Sequence, residues 1–518
     1  MPCIALTLLA APVRAQSTTT LLPTAAVLPA GDIRVRLLSA FTRYDELLGG
    51  GDTLASPRNL ADELRRDSVG VAQLPLLAPA QTAIQALAGS DFRLTAGQLT
   101  ATANSRIVTA PLVLEYGLTR RLTLGLVVPL VETRTNLYEQ LNRHPGLANV
   151  GPNPALANSA QLANNAALVA SLRAAAGALQ QRLDACQSTP SDPGCATLLS
   201  QQGAAQSLIQ STSPFASALE TLYGTDADHP GQAFVPLGPT QASIDAQIAN
   251  YRNQYSQFLG SDVLTGSIAG AGGPAARAQL QALMTSLGRD TLQITNRTSI
   301  GDIAVGASYQ IANTFGDTLT TGTHYRAAVN GTFRFGTGEP ANRNRSFDIG
   351  TGYGQPGVIG TAAADVQLGR FITSVVGSYT VQLGSIDVGA IPNPDNDFFP
   401  LGPAVPGSYT AGNVLSLSLT PRYRLSGAFA LDGCYTLLHV GADQYTGAAA
   451  VPGTGLPATT AQQVGFGFSY SSLVAGDRTP GRLPVEVTFS HLETLSASGG
   501  PVPKSFRDQV ELRVYYRP

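Results

Sequence analysis

Polar and apolar residues alternate with a period of two along much of this chain. From Val414 to Leu425, Leu415, Leu417, Leu419, Pro421, Tyr423 and Leu425 alternate with Ser416, Ser418, Thr420, Arg422 and Arg424. A period of two is the mark of a strand whose two faces meet different surroundings. The pattern recurs. Ile33, Val35 and Leu37 alternate with Arg34 and Arg36; Leu122, Leu124 and Leu126 with Thr123 and Gly125. Ala327, Val329, Phe333 and Phe335 alternate with Arg326, Asn330, Thr332 and Arg334; Val510, Leu512 and Val514 with Glu511 and Arg513. About twelve such strands are predicted, beginning near residues 31, 104, 121, 301, 324, 361, 371, 413, 427, 461, 483 and 508.

The connections between them alternate in length. Long ones cover roughly 45–103, 134–293, 337–360, 384–412, 442–460 and 495–506, and the intervening ones are short. Outer-membrane barrels have short periplasmic turns and long extracellular loops, so both termini are expected in the periplasm. Hydrocarbon cannot satisfy backbone polar groups, which leaves helices and closed barrels as the only spanning structures. No apolar run is long enough for a transmembrane helix. The predicted fold class is therefore all-β: a transmembrane antiparallel β-barrel of about twelve strands. Tyr309, Tyr423, Tyr435, Tyr470, Tyr515 and Tyr516 fall near strand ends, as interfacial girdle residues do; ordinary strand propensity is the rival reading.

Composition agrees. Charged residues make up 13% of the chain, about half the usual globular share of roughly 25%, which suits a surface facing lipid. A net charge of −2 gives no bulk attraction for nucleic acid, and no nucleic-acid partner is expected. Residues 1–15 read as a signal peptide, with an apolar core from Ile4 to Val13 and cleavage after about Ala15. Residues 16–133 then hold strands one to three with the first long loop, and 294–518 hold strands four to twelve.

Residues 134–293 break the pattern and are expected to form a helical extracellular insertion. Leu162, Val169, Ala176 and Leu183, with Leu172 and Leu179 between, form a heptad-like seam. Ile244, Ile248, Tyr251, Tyr255 and Phe258 share one helical face, as do Leu280, Leu283 and Leu287. A cap, a plug in the barrel mouth, a partner-binding surface and a self-packed loop domain all fit. Cys186 and Cys195 enclose a turn-rich spacer and read as a disulfide between antiparallel helices. Metal binding is the rival reading, but no histidine lies nearby. Cys434 reads as a barrel-wall residue.

Where apolar alternates face lipid, their neighbours face the lumen. The candidate lumen-lining residues are Arg34, Arg36, Glu115, Arg326, Arg334, Arg422, Arg424, Glu486, Glu511 and Arg513. Such charges either set pore selectivity or pair up and fill a narrow barrel. An enzyme is not expected. Ser490 and His491 are neighbours on a strand, so they point to opposite faces and form no dyad. The five histidines lack metal-ligand spacing, and no cofactor motif is present.

Leu114-Glu-Tyr-Gly-Leu-Thr-Arg-Arg-Leu-Thr-Leu-Gly-Leu-Val-Val-Pro129 resembles a hairpin of the outer-membrane transporter family named for the phenol meta-cleavage pathway. Phe333-Arg-Phe-Gly-Thr-Gly338 and Asp348-Ile-Gly-Thr-Gly352, followed by Gly354-Gln355, are similar to that family's paired Thr-Gly motifs. The resemblance covers roughly 104–133 and 301–518. It implies passive or facilitated passage of small hydrophobic or aromatic solutes through the bacterial outer membrane. The expected partners are outer-membrane lipid, the solute, and the barrel-assembly machinery during insertion. The alternative is a structural or surface-interaction barrel whose helical loop domain binds a partner.

Overall fold

The computed structural model describes residues 21–49, 57–143, 145–286, 295–315, 322–342, 347–388, 406–447, 457–473 and 484–517. The expected signal peptide, 1–15, lies outside the described residues. The chain forms two compact units. One comprises 1–63, 101–138 and 284–518; the other comprises 64–100 and 139–283.

The first unit is a closed antiparallel barrel of twelve strands. They are β1 (Ile33–Tyr44), β2 (Leu99–Gly117), β3 (Leu122–Leu141), β4 (Ala304–Asn313), β5 (Thr323–Arg334), β6 (Gly357–Leu368), β7 (Phe371–Gln382), β8 (Val414–Arg424), β9 (Phe429–Val440), β10 (Thr459–Ser471), β11 (Val485–Gly499) and β12 (Phe506–Tyr516). Each pairs with its neighbours in sequence, and β12 closes the ring on β1, from Ile33 opposite Tyr516 to Arg43 opposite Phe506. A closed ring leaves no unpaired edge. The architecture is that of the barrels of the bacterial outer membrane.

The alternation read from the sequence is the alternation of the two faces. On β8, Leu417 and Leu419 are exposed at 43% and 41%, whereas Ser416 is buried. The large apolar side chains exposed on the outer face around the ring are Val, Leu, Ile, Phe and Tyr. Near the short turns an aromatic girdle forms, with Phe371 on Tyr423 (centroids 4.8 Å) and Phe429 on Tyr470 (5.2 Å). Tyr116, Tyr309, Tyr325 and Tyr516 extend it. Tyr515 departs from the predicted girdle: it turns to the inner face and donates to Glu486 Oε2 at 2.6 Å.

A bulge interrupts the wall before β4. A short strand, Thr295–Ile300, pairs with Leu130–Thr135 of β3, and β4 pairs with Leu122–Val127. Three residues, Gly301 to Ile303, therefore oppose two, Val128 and Pro129. Pro129 has no N–H to offer the ladder, and its carbonyl accepts from Gly301 N at 2.8 Å. The extra residue turns Asp302 into the interior, where it is 4% exposed.

The second unit is helical: α1 (Ala78–Ala88), α2 (Ser159–Ser188), α3 (Cys195–Ser200), α4 (Gln202–Tyr223), α5 (Gly238–Leu259) and α6 (Arg277–Ser286). Asn158 caps α2, accepting from Ala160 N and Gln161 N. The helix ends at Ser188, just ahead of Pro190. Leu168, Leu172, Leu179 and Leu183 of α2 and Leu208, Phe215, Leu219 and Leu222 of α4 are buried, with Ile244, Ile248 and Tyr255 of α5. Each such side chain contributes on the order of 2 kcal/mol of apolar burial. The Cys186–Cys195 disulfide is formed, with Cα atoms 5.2 Å apart, and it ties the end of α2 to the start of α3. Helix α1, from the first long connection, belongs to this same unit; its Leu87 carbonyl accepts from Gln247 Nε2 at 2.5 Å.

The boundaries near this unit differ from those read in the sequence. β2 begins at Leu99 and β3 continues to Leu141, so the helical segment starts beyond residue 134. Both strand ends are rich in polar residues, such as Thr100, Asn104 and Gln140, which blur the alternation. Side chains of Leu280 and Leu283, and all of Leu287, lie outside the described residues.

Candidate functional site

The interior of the barrel is the site to consider. Its charges concentrate at the short-turn end, where every second residue of each strand faces inward. Arg34 Nε donates to Glu115 Oε2 at 2.6 Å and its Nη2 to Glu115 Oε1 at 2.9 Å. Arg36 Nε donates to Glu511 Oε1 at 2.7 Å, and Arg513 grips the same carboxylate at 2.8 and 2.9 Å. Arg513 also approaches Glu486 at 3.5 Å. Arg326 pairs with Asp365 at 2.5 Å and Arg422 with Asp432 at 2.5 Å. Arg34, Arg36, Glu115 and Glu511 are all at most 5% exposed. Buried guanidinium and carboxylate groups persist only when they meet each other, because either alone carries a large desolvation cost.

These pairs share a geometry. Arg34–Glu115 joins β1 to β2, Arg36–Glu511 joins β1 to β12, and Arg513–Glu486 joins β12 to β11. Arg326–Asp365 joins β5 to β6, and Arg422–Asp432 joins β8 to β9. All join neighbouring strands, so they lie along the wall.

The lumen at this end holds the chain's own N-terminal segment. Residues 21–32 precede β1 without regular structure and run along the inner wall. Ala25 N donates to Asp365 Oδ2 at 3.1 Å, Gln310 Nε2 to the Ala25 carbonyl at 3.2 Å, and Leu28 N to Thr123 Oγ1 at 2.9 Å. Leu22 and Ala25 pack against Ala328 and Ala363, with Val27 and Val376 alongside. Leu21 packs with Leu38, Val113, Val127 and Ala304. Small wall residues make room: a Cβ on Gly125 or Gly306 would come within 2.8 Å of Leu21.

At the other end, loops are bound to the inner wall. Asp302 accepts from Gly338 N and Tyr353 N, both at 2.8 Å, and faces Arg334 at 3.5 Å. Arg334 also bonds Gln382 Oε1 and stacks on the Tyr353 ring at 4.2 Å. Thr133 Oγ1 donates to the Ile349 carbonyl at 2.8 Å. Gln355 bridges to the next loop, donating to the Tyr409 carbonyl and accepting from Ala411 N. The two Thr-Gly segments read in the sequence are thus the two arms of one loop, brought together around Asp302.

Nine of the ten sequence-predicted residues are held in these contacts. Arg424 stands apart, with no side-chain partner among the described residues. The sequence reading missed Asp302, Asp365 and Asp432, the acidic partners of Arg334, Arg326 and Arg422. None of the ten predicted residues lies on β4, β6 or β9, so nothing in phase with these aspartates marked them. It also missed Arg507. That side chain alternates inward with Gln509, Glu511 and Arg513, one residue ahead of the predicted strand start at 508.

No protein-family profile matches the chain, and no curated protein does. Among solved structures, an outer membrane channel of Pseudomonas putida F1 is similar over 95% of this chain and 97% of that one, with 11% identity and a TM-score of 0.39. A Pseudomonas aeruginosa FadL homologue aligns over 99% and 98%, with 10% identity and a TM-score of 0.28. The Pseudomonas putida toluene transporter TodX aligns over 95% and 90%, with 13% identity and a TM-score of 0.25. At such scores these likenesses add nothing to what strand pairing establishes: a closed antiparallel barrel of outer-membrane type.

Proposed function

We propose that this barrel passes small hydrophobic or aromatic solutes across the outer membrane. The observation that carries this reading is the direction of the lumenal ion pairs. They run between neighbouring strands and brace the wall, and the segment lying inside the wall at the short-turn end is the N-terminal segment. That segment is no part of the ring, and three hydrogen bonds to the wall accompany its apolar packing. The resemblance of the Leu114–Pro129 hairpin and the paired Thr-Gly segments supplies the solute class.

A second reading has its own observation. A lumen whose charges are mostly paired and whose periplasmic half is occupied suits a structural barrel that works through its helical unit. The two readings separate on one comparison. The mature protein and a variant lacking residues 16–30 are inserted in planar bilayers and in vesicles. For a transport barrel, single-channel conductance rises severalfold on deletion, and both proteins speed uptake of neutral benzyl alcohol into vesicles. Absence of conductance and of uptake in both proteins, with folding confirmed by heat-modifiable migration, rejects passage and leaves the surface-interaction barrel.

A further inference from the structure

One lumenal cation in the loop-end half of the wall has no counter-charge among the described residues. Arg507 sits near the extracellular end of β12, opposite Thr42 of β1 and Leu492 of β11. Its Nη2 donates to Gln509 Oε1 at 2.7 Å. Its Nε is shielded from solvent and has no hydrogen-bond partner. No carboxylate pairs with it among the described residues. The inward positions around it are neutral: Ser416, Ser418 and Thr420 on β8, Cys434 and Thr436 on β9, Gln463 on β10, Ser490 and Thr494 on β11. The nearest inward acids, Glu511 and Glu486, are held by Arg36 and Arg513.

The strand register sets apolar and small groups beside this guanidinium. Arg507 lies opposite Leu492, Leu492 opposite Gly465, and Gly465 opposite Cys434. Gly465 and, two residues on, Gly467 present no side chain, so the inner wall between Leu492 and Cys434 is bare. A fixed, unmatched guanidinium beside a bare, partly apolar stretch of wall is complementary to a planar ring bearing a carboxylate. The planar fork of arginine matches a carboxylate.

We infer that Arg507 is a lumenal binding site for the carboxylate of a small aromatic acid, whose ring lies along the Leu492–Gly465–Cys434 row. The inference rests on the transport reading and narrows its solute class: anionic aromatic acids bind here, and neutral aromatics pass without this contact. It also gives this half of the lumen its one fixed unpaired charge among the described residues, biasing it toward anions.

The test is binding of benzoate and of benzyl alcohol, its neutral counterpart, to the folded full-length protein in detergent, read by titration calorimetry. Benzoate is expected to bind at least about tenfold more tightly than benzyl alcohol, the size of one charge-assisted pair. Arg507→Gln is expected to abolish that preference, while Arg507→Lys, which keeps the charge and loses the fork, retains part of it. Equal binding of the two compounds, or a preference unchanged in Arg507→Gln, overturns the inference. Benzyl alcohol uptake by Arg507→Gln is measured in parallel. Its persistence beside lost benzoate preference supports both readings; uptake absent from wild type as well rejects the transport reading separately from this site. Heat-modifiable migration of both variants confirms that each barrel is closed.

Discussion

At the scale of single residues, the inner wall shows what an isolated charge requires. Glu115 receives two donors from Arg34 and lies 3.9 Å from Arg36. Glu115→Gln leaves Arg34 buried without a counter-charge, and the expected cost is about 3 kcal/mol. Equilibrium unfolding in urea, followed in lipid vesicles, measures it. The comparator is Glu46→Gln, which breaks the half-exposed Lys504–Glu46 pair and is expected to cost under about 1 kcal/mol. Equal shifts for the two variants would deny the buried cluster its role. The arginines and glutamates of this cluster were legible in the sequence, because long charged side chains in strict alternation with leucine and valine stand out. Their aspartate partners were not. Asp365 follows three alanines, and Asp432 sits beside Gly433, so neither falls in a strong apolar pattern. Arg507 escaped because Phe506-Arg507-Asp508 opens its strand with two charges in a row, and only the closed ring shows that they face opposite ways.

At the scale of elements, the strands were the most legible part of the chain. Phe371 begins β7 where the sequence put it, and β1, β3, β8 and β9 begin within two residues of their expected starts. Period-two patterning is strong wherever one face meets lipid, and this physical contrast is written in neighbouring residues. The N-terminal segment carries no such contrast: Leu21, Leu22 and Leu28 have no periodicity, and only distant walls give them a place. The glycines of the strands illustrate the same limit. A Cβ on Gly465 would stand 2.1 Å from the carbonyl oxygen of His491, on the adjacent backbone, whereas one on Gly331 meets nothing within 4 Å. Gly465→Ala is therefore expected to impair barrel folding, and Gly331→Ala to be neutral or stabilising by under about 1 kcal/mol. The folded fraction on cold gel electrophoresis distinguishes them, and equal yields would show that β10 and β11 can separate without cost.

At the scale of the whole molecule, two units stabilised by different means share one chain. The barrel rests on its closed hydrogen-bond ring, and the helical unit on buried leucines, a disulfide and surface pairs. Glu220 of α4 accepts from Arg173 of α2 at 2.6 Å, and this bond holds its carboxyl below the ordinary glutamate range. A carboxyl lowered in the folded state adds stability that is complete above its unfolded value, near about 4.3, and is lost as pH falls through the folded one. Helical circular dichroism at pH 3 is thus expected to melt at a lower temperature than at pH 6, and Glu220→Gln to narrow the difference. An unchanged difference in that variant would assign the acid sensitivity elsewhere. The barrel's own charges have a consequence in time rather than in space. Arg36 and Glu511 are 475 residues apart in sequence, and they meet only where the first strand joins the last. Until that seam forms, Arg36 and its neighbour Arg34 belong to an open edge, and Glu511 with Arg513 to another. Ring closure is therefore the step at which these four charges are hidden together, and the join that carries the largest loop-closure entropy is itself fastened by the Arg36–Glu511 pair. A chain stopped before its last strand would be left with a cationic edge, chemically marked as unfinished.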